Sequence, residues 1–329
     1  MSFNQEKNHP FRFGFLLMPQ YSMIAFSCAI EPLRMANRLS EKHLYEWPLI
    51  TLDGKTVPAS NGLIINPDHA IDNIPELDIL FVCSGLDVSN AYSKTLKNAL
   101  HKLSRQQVKL GGLCTGTYLL ARAHLMDGYR CTIHWENMAS MREAFPLVLL
   151  SDELYEIDRD RYTCAGGNAS MDMMLNLITN TQGGKLSANI SEQFMCDRIR
   201  GHHDRQRTPL QHYLGTSQPK LTEAVTLMEA NIEEPMSLDE LSHYVGVSRR
   251  QVERLFQKYL SCVPTRYYMD LRLNRARLLL LQTDKSIVDI ALACGFVSAP
   301  HFTKCYREVF GIPPRDERRQ QQIRQTKSD

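Results

Sequence analysis

Two groups of residues in this 329-residue chain have types and spacing that can do chemistry. Arg249, Arg250, Glu253 and Arg254 would share one face of a helix, opposite an apolar face of Val252, Leu255, Phe256 and Tyr259 at i, i+3, i+4 and i+7. Arginine can take guanine bidentately and glutamate can accept from cytosine N4, so this face suits reading DNA bases. About fifty residues on, Ser298, Ala299, Pro300, His301, Thr303, Lys304 and Arg307 would face outward from a second helix. That set is less basic. Ala299 and Pro300 offer no side-chain hydrogen bond, which leaves contact with a thymine methyl and phosphate positioning by Lys304 and Arg307. A solvated charged face is the plainer reading of either helix alone.

The second group is Gly112-Leu113-Cys114-Thr115-Gly116, a G-x-C-x-G turn where a predicted strand meets a predicted helix. The spacing is that of a nucleophile elbow with cysteine in place of serine. A helix amino terminus there can lower the thiol pKa and bind an anion. The alternative is an inert cysteine in a tight glycine turn.

The elements that must position the first group have local signatures. Ser237 and Glu240 form an S-x-x-E capping box, Ser248 and Gln251 an S-x-x-Q one, and Gly246 supplies the turn between two helices. A second copy runs from Ser286 through Gly295 to Ser298 and on to Phe310, with Phe302, Cys305, Tyr306, Val309 and Phe310 as its apolar stripe. Two such helix-turn-helix patterns, joined by the Leu- and Arg-rich stretch TRYYMDLRLNRARLLLLQ, suit two successive faces of the major groove, one DNA turn or ~34 Å apart. An upstream helix with Leu221, Ala224, Val225, Met228 and Ile232 completes the first bundle.

Around the elbow, FRFGFLLM, PLITLDG, LDILFVCSG, VKLGGLCTG, CTIHW and RYTCAGG read as strands. IAFSCAIEPLRMANRLS, KTLKNALHKLSRQ and MDMMLNLITNTQ read as helices. The alternation predicts a flavodoxin-like α/β sandwich with a mostly parallel sheet, and such folds bind ligands at the carboxyl ends of the strands. Hydrophobic residues at 43% and charged residues at 22% are ordinary for a globular chain. No apolar run approaches the ~20 residues of a membrane span, and MSFNQEKNHP lacks a signal-peptide core, so a cytoplasmic location is expected. Nine cysteines, an odd number with no C-x-x-C, argue against a disulfide framework or zinc module. The net charge of +2 is slightly asymmetric, with 17 Lys+Arg against 14 Asp+Glu from Lys220 onward. No metal site, cofactor or catalytic residue is expected. His202, His203 and His212 fall in a polar, Gly- and Pro-broken stretch that reads as a solvated linker rather than a metal site.

Residues 218 to 318 resemble the AraC/XylS family, on V-S-R-R-Q-x-E-R-L-F, L-R-L-N-R-A-R-x-L-L, I-x-x-I-A-x-x-C-G-F, H-F-x-x-x-Y-R-x-x-F-G and Gly311-Ile312-Pro313-Pro314-Arg315. The resemblance places base-reading positions at Arg250, Glu253 and Arg254, and at Ala299, Pro300, Thr303 and Lys304. The amino-terminal part is similar to the ThiJ/PfpI, class I glutamine-amidotransferase-like fold, on Phe15-Leu16-Leu17, Glu31-Pro32-Leu33-Arg34, the Cys114 elbow, His134-Trp135, and Gly166-Gly167 with Asp172. Thr115 stands where catalytic members commonly carry histidine.

The fusion matches GlxA-like regulators. RMANRLS, DGYRCTIHWE, EAFP and MDMML look closest to members that govern glycine betaine catabolism; arginine- and carnitine-responsive members share much of the DNA-binding half. The resemblance implies domains at 10–197 (ligand-sensing), 198–219 (linker) and 220–318 (DNA-binding), with a frayed tail at 319–329. It implies an activator of catabolic genes that binds promoter DNA as a homodimer, contacts RNA polymerase and senses a methylated-amine or arginine-like metabolite. Glu31, Cys114, Thr115, Gly116, His134 and Trp135 are the candidate ligand residues, with Trp135 caging a cation and the amides at 114–116 taking a carboxylate. The rival reading is a cysteine-dependent amidase or hydrolase, or a redox sensor, using Cys114.

Overall fold

The computed structural model describes residues 9–196, 198–201, 204, 206 and 218–326, and the chain divides into two compact units after Gln206. The histidines at 202, 203 and 212 lie outside the described residues. In the first unit the strands are β1 (Phe11–Leu17), β2 (Tyr45–Glu46), β3 (Leu49–Thr51), β4 (Val57–Pro58), β5 (Ile64–Ile65), β6 (His69–Ala70), β7 (Ile79–Ser84), β8 (Lys109–Cys114), β9 (Arg130–Cys131), β10 (Leu149–Leu150), β11 (Tyr155–Asp158) and β12 (Arg161–Cys164). The helices are α1 (Met23–Ser40), α2 (Lys94–Arg105), α3 (Gly116–Arg122), α4 (Met138–Ala144), α5 (Ala169–Gln182) and α6 (Gly184–Gln193).

The main sheet runs β11-β12-β8-β7-β1-β3-β6, with β2 also on β1. All its pairings are parallel except β11 with β12. This is the mostly parallel α/β sandwich that the sequence predicts. β7 is buried along its whole length, as a parallel strand covered on both faces must be. Its Ile79, Phe81 and Cys83 join Phe13, Phe15 and Leu17 of β1 in the core under α1 and α5. Leu80 and Val82 turn the other way, to Leu16 of β1 and to Leu96, Leu100, Leu119 and Leu120 of α2 and α3. Phe81 stacks on Phe13 and Phe15 at 6.4 and 5.8 Å between ring centroids, which fixes the centre of the sheet.

One expected strand is not in that sheet. Within CTIHW only Cys131 belongs to a strand, in the small parallel pair β9–β10. Thr132 donates to Ser151 O and Glu153 O, and the chain turns at once into a short 3-10 helix over Trp135–Asn137. A short apolar run carries the same periodicity in either setting, so length alone could not separate them.

The second unit is helical: α7 (Pro219–Ala230), α8 (Leu238–Val245), α9 (Arg249–Leu260), α10 (Pro264–Gln282), α11 (Ile287–Ala293), α12 (Ala299–Phe310) and α13 (Pro314–Thr326). Leu221, Ala224, Val225, Met228, Leu241, Val245, Val252, Phe256 and Tyr268 form the core of its first half. Leu273, Ala276, Leu279, Ile290, Ala291, Phe302 and Tyr306 are buried in the second. The frayed tail expected from residue 319 is instead helix as far as Thr326. Its first turn is anchored by buried Glu317, which accepts from Arg277 Nε at 2.7 Å and from the Tyr306 hydroxyl.

Candidate DNA-reading helices and the elbow site

Each helix of the two helix-turn-helix copies starts on a serine cap. Ser237 and Glu240 make the full reciprocal capping box of α8. Ser248 takes Gln251 N at 3.3 Å, Ser286 takes Asp289 N at 3.1 Å and Ser298 takes His301 N at 3.4 Å. Gly246, at φ +72°, makes the turn between α8 and α9 in the left-handed region that glycine enters without strain. Both turns are also closed by a cation from a neighbouring helix. Lys220 Nζ reaches Val245 O at 2.6 Å, and Arg272 reaches Cys294 O and Gly295 O at 2.8 and 2.6 Å, where the helix dipole favours positive charge. These two clamps have no local sequence signature, and sequence reasoning missed them.

On α9 the buried residues are Val252 and Phe256, which leaves Arg249, Arg250 and Arg254 exposed and Glu253 half-buried. Arg249 is engaged, with Nε 3.3 Å from Glu253 and Nη1 3.7 Å from Asp239. Arg250 and Arg254 have no ion pair among the described residues, so their guanidinium groups are available. On α12, Phe302 and Tyr306 are buried, and Pro300, His301, Lys304 and Arg307 are exposed with Ala299 and Thr303 half-buried. The Ser298 hydroxyl is spent on its cap. His301 lies on the flank, its ring 5.9 Å from Phe296 and its Nε2 3.4 Å from Cys305 Sγ, and Cys305 is only half-buried.

The elbow forms at the carboxyl end of β8, where Cys114 lies beside Ser84 of β7. Cys114 has φ +58°, a left-handed conformation that a non-glycine residue adopts only when its surroundings impose it. The surroundings do so through close approach: a Cβ on Gly116 would sit 1.9 Å from Val82 O, and one on Gly166 would sit 2.7 Å from Cys114 Cβ. Thr115 donates to Gly85 O at 2.8 Å, so its hydroxyl faces the scaffold. His134 N approaches Cys114 O at 3.4 Å, and the His134 and Trp135 rings lie 5.7 Å apart with Trp135 40% exposed. The structure therefore brings the His134 backbone to the Cys114–Gly116 turn, with the Trp135 ring next to that of His134. Glu31 sits on α1 with its carboxylate 2.6 Å from Arg34 Nη2.

The expected lowering of the thiol pKa is reversed. Burial, reinforced by neighbouring Cys164, pushes Cys114 up to about 12, against the weaker pull of hydrogen bonds from Thr115 N–H and Ser22. The short α3 does not offset that loss of solvation. Burial also lowers the His134 pKa, only partly countered by Glu136. The pair is thus a neutral thiol and a neutral imidazole, without the ion pair of an activated nucleophile. All nine cysteines are free thiols. At the other end of the sheet, a cleft of about 590 Å³ lined by Arg12, Tyr45, Glu46, Trp47, Asp68 and His69 also escaped the sequence reading.

The DJ-1/PfpI family model matches residues 27–180, and a helix-turn-helix domain model matches residues 241–320. Over 320 residues the chain is 55% identical to the HTH-type transcriptional regulator GbdR of Pseudomonas aeruginosa, covering 97% of this chain and 87% of that one. The chain belongs to the AraC family of transcription regulators. It is a regulator rather than an enzyme. This regulator is also 45% identical over 312 residues to the HTH-type transcriptional regulator ArgR of the same organism, covering 94% of each. Among solved structures, an AraC family transcriptional regulator from Pseudomonas putida matches with a TM-score of 0.52 and 32% identity, over 56% of this chain and 100% of that one. No described helix is long and apolar enough to cross a membrane.

Proposed function

We propose that this AraC-family regulator is a homodimeric activator of catabolic genes whose DJ-1/PfpI-type unit senses a small methylated amine, with glycine betaine or dimethylglycine as the leading effector. One observation carries the reading: the elbow keeps its strained backbone while its thiol is held at a pKa of about 12. A site maintained at conformational cost but without a usable nucleophile suits binding rather than turnover. Trp135 offers an exposed indole face for an ammonium group, beside His134 and the Cys114–Gly116 backbone. In the DNA-binding unit, Arg250, Glu253 and Arg254 read bases, while Lys304 and Arg307 position phosphates and Ala299 and Pro300 contact a thymine methyl. Contact with RNA polymerase follows from the activator role.

Thermal-shift titration with glycine betaine, dimethylglycine, carnitine and arginine tests the effector. At 100 times its dissociation constant, a true ligand stabilises the unit it binds by ~2.7 kcal/mol. Trp135→Ala should remove that shift. The cleft at Tyr45, Glu46, Trp47 and Asp68 also joins aromatic faces to carboxylates. A shift removed by Trp47→Ala and kept in Trp135→Ala would move the effector there.

A further inference from the structure

The described residues between 198 and 206 are the last of the first unit before the DNA-binding unit begins at residue 207. They are fastened at three points. Arg200 grips Asp172 of α5 through its backbone N at 2.9 Å, Nε at 3.0 Å and Nη2 at 2.6 Å, and that carboxylate is only 9% exposed. Asp204 accepts from Arg198 Nη2 at 3.0 Å and Gly201 N at 2.9 Å, while its own carbonyl takes Leu154 N at 2.9 Å. Gln206 N donates to Asp152 O at 3.2 Å. Its Nε2 lies 2.8 Å from Ile133 O, 2.8 Å from Thr132 Oγ1 and 3.2 Å from Glu153 O.

Thr132 and Ile133 lead straight into His134 and Trp135. The opposite edge of the same peptide is held by the elbow: Thr117 Oγ1 of α3 donates to Thr132 O at 2.9 Å, and His134 N approaches Cys114 O at 3.4 Å. Two residues are therefore clasped between the elbow and Gln206. The Arg200 anchor is likewise on α5, the helix that starts just after Gly166 packs on Cys114. The docking is not saturated. Gln206 Oε1 is buried with no partner among the described residues, and an unsatisfied buried acceptor makes an anchor easier to release.

We propose that Arg200, Asp204 and Gln206 act as a strap whose docking on the 132–134 peptide and Asp172 changes with occupancy of the elbow site, and so passes effector binding towards the DNA-binding unit. The proposal rests on the elbow being the effector site. A ligand seated on His134 and Trp135 bears on the peptide that holds Gln206, and any release of Gln206 loosens that wall in return, because the coupling is reciprocal.

Limited trypsin digestion of the full chain reads the strap at Arg198 and Arg200. Gln206→Ala should raise cleavage there roughly fivefold, by raising the population of the undocked segment. Gln206→Asn, which is one methylene shorter, should do the same while keeping the amide. Saturating glycine betaine should change the wild-type cleavage rate by roughly threefold or more and leave the Gln206→Ala rate unchanged. The ratio of promoter-DNA affinity with and without betaine should then collapse toward one in Gln206→Ala. Equal cleavage and equal betaine response of DNA binding in wild type and both Gln206 variants would overturn the strap. If betaine alters cleavage identically in wild type and Trp135→Ala, the elbow is not the effector site, and the coupling of the strap through His134 and Trp135 fails with it. If none of the four amines shifts the melting temperature, the effector reading fails, and the strap is then judged on whether Trp135→Ala alone alters cleavage at Arg200. No change there overturns it.

Discussion

Cys114 and Arg250 carry most of what single residues decide. With its pKa near 12 instead of 9, the Cys114 thiolate fraction at neutral pH falls about a thousandfold. Cys114 should therefore alkylate with iodoacetamide far more slowly than the same residue in urea-unfolded chain, as followed by mass spectrometry of the labelled peptide. A raised folded-state pKa means that the folded chain holds the proton longer, so its stabilising effect is present below pH 9 and lost as pH rises toward 12. His134 works in the opposite direction. Its pKa is lowered by burial, so the amino-terminal unit should lose stability as pH falls below the ordinary imidazole value of 6.5, in thermal melts from pH 8 to 5. On α9, Arg250→Ala or Arg254→Ala should cost ~1–3 kcal/mol of specific DNA affinity in a mobility-shift assay. Arg249→Ala should cost about 1 kcal/mol or less, because that side chain is already shared between Asp239 and Glu253 at the surface. The exposed charged face of α9 and the elbow were legible because both are local patterns. Gln206 and Arg200 were not, because their partners lie 73 and 28 residues away and no motif marks them.

At the scale of elements, the DNA-binding unit repeats itself. Ser248 and Ser298 cap, Val252 and Phe302 and then Phe256 and Tyr306 are buried, and Pro264 and Pro314 each open the next helix. The copies differ in the turn, where Gly295 is followed by two residues before the cap and Gly246 by one. The extra length buries Phe296 and leaves Val297 93% exposed. Serine caps and glycine turns are written within a few residues, so these helices could be read from sequence; CTIHW could not, because what ends it as a strand is the distant pairing of Thr132 with Ser151 and Glu153. The buried Glu317 shows how the second copy is locked to α13 and α10. Tyr306→Phe, which removes one of its donors, should destabilise the unit by about 1–3 kcal/mol in urea denaturation of the full chain, with little change in the urea dependence of the first unit.

The whole molecule joins a unit whose elbow holds a protonated thiol to a unit with two unequal helix-turn-helix copies. In the first copy Arg250 and Arg254 have no ion pair among the described residues; in the second Ala299 and Pro300 offer no side-chain hydrogen bond. Alternation of strands and helices made the α/β class readable, and the amphipathic pattern of α7 to α12 made the helical unit readable. Their connection was not, since the strap is defined by what it touches rather than by composition. The most direct test of a ligand-sensing regulator is promoter-DNA affinity of the full chain measured across a glycine betaine titration. Affinity should change with a midpoint that matches the betaine concentration that raises the melting temperature. Trp135→Ala should abolish that change, and Arg250→Ala should weaken binding at every concentration. DNA affinity indifferent to glycine betaine, dimethylglycine, carnitine and arginine alike would contradict ligand sensing.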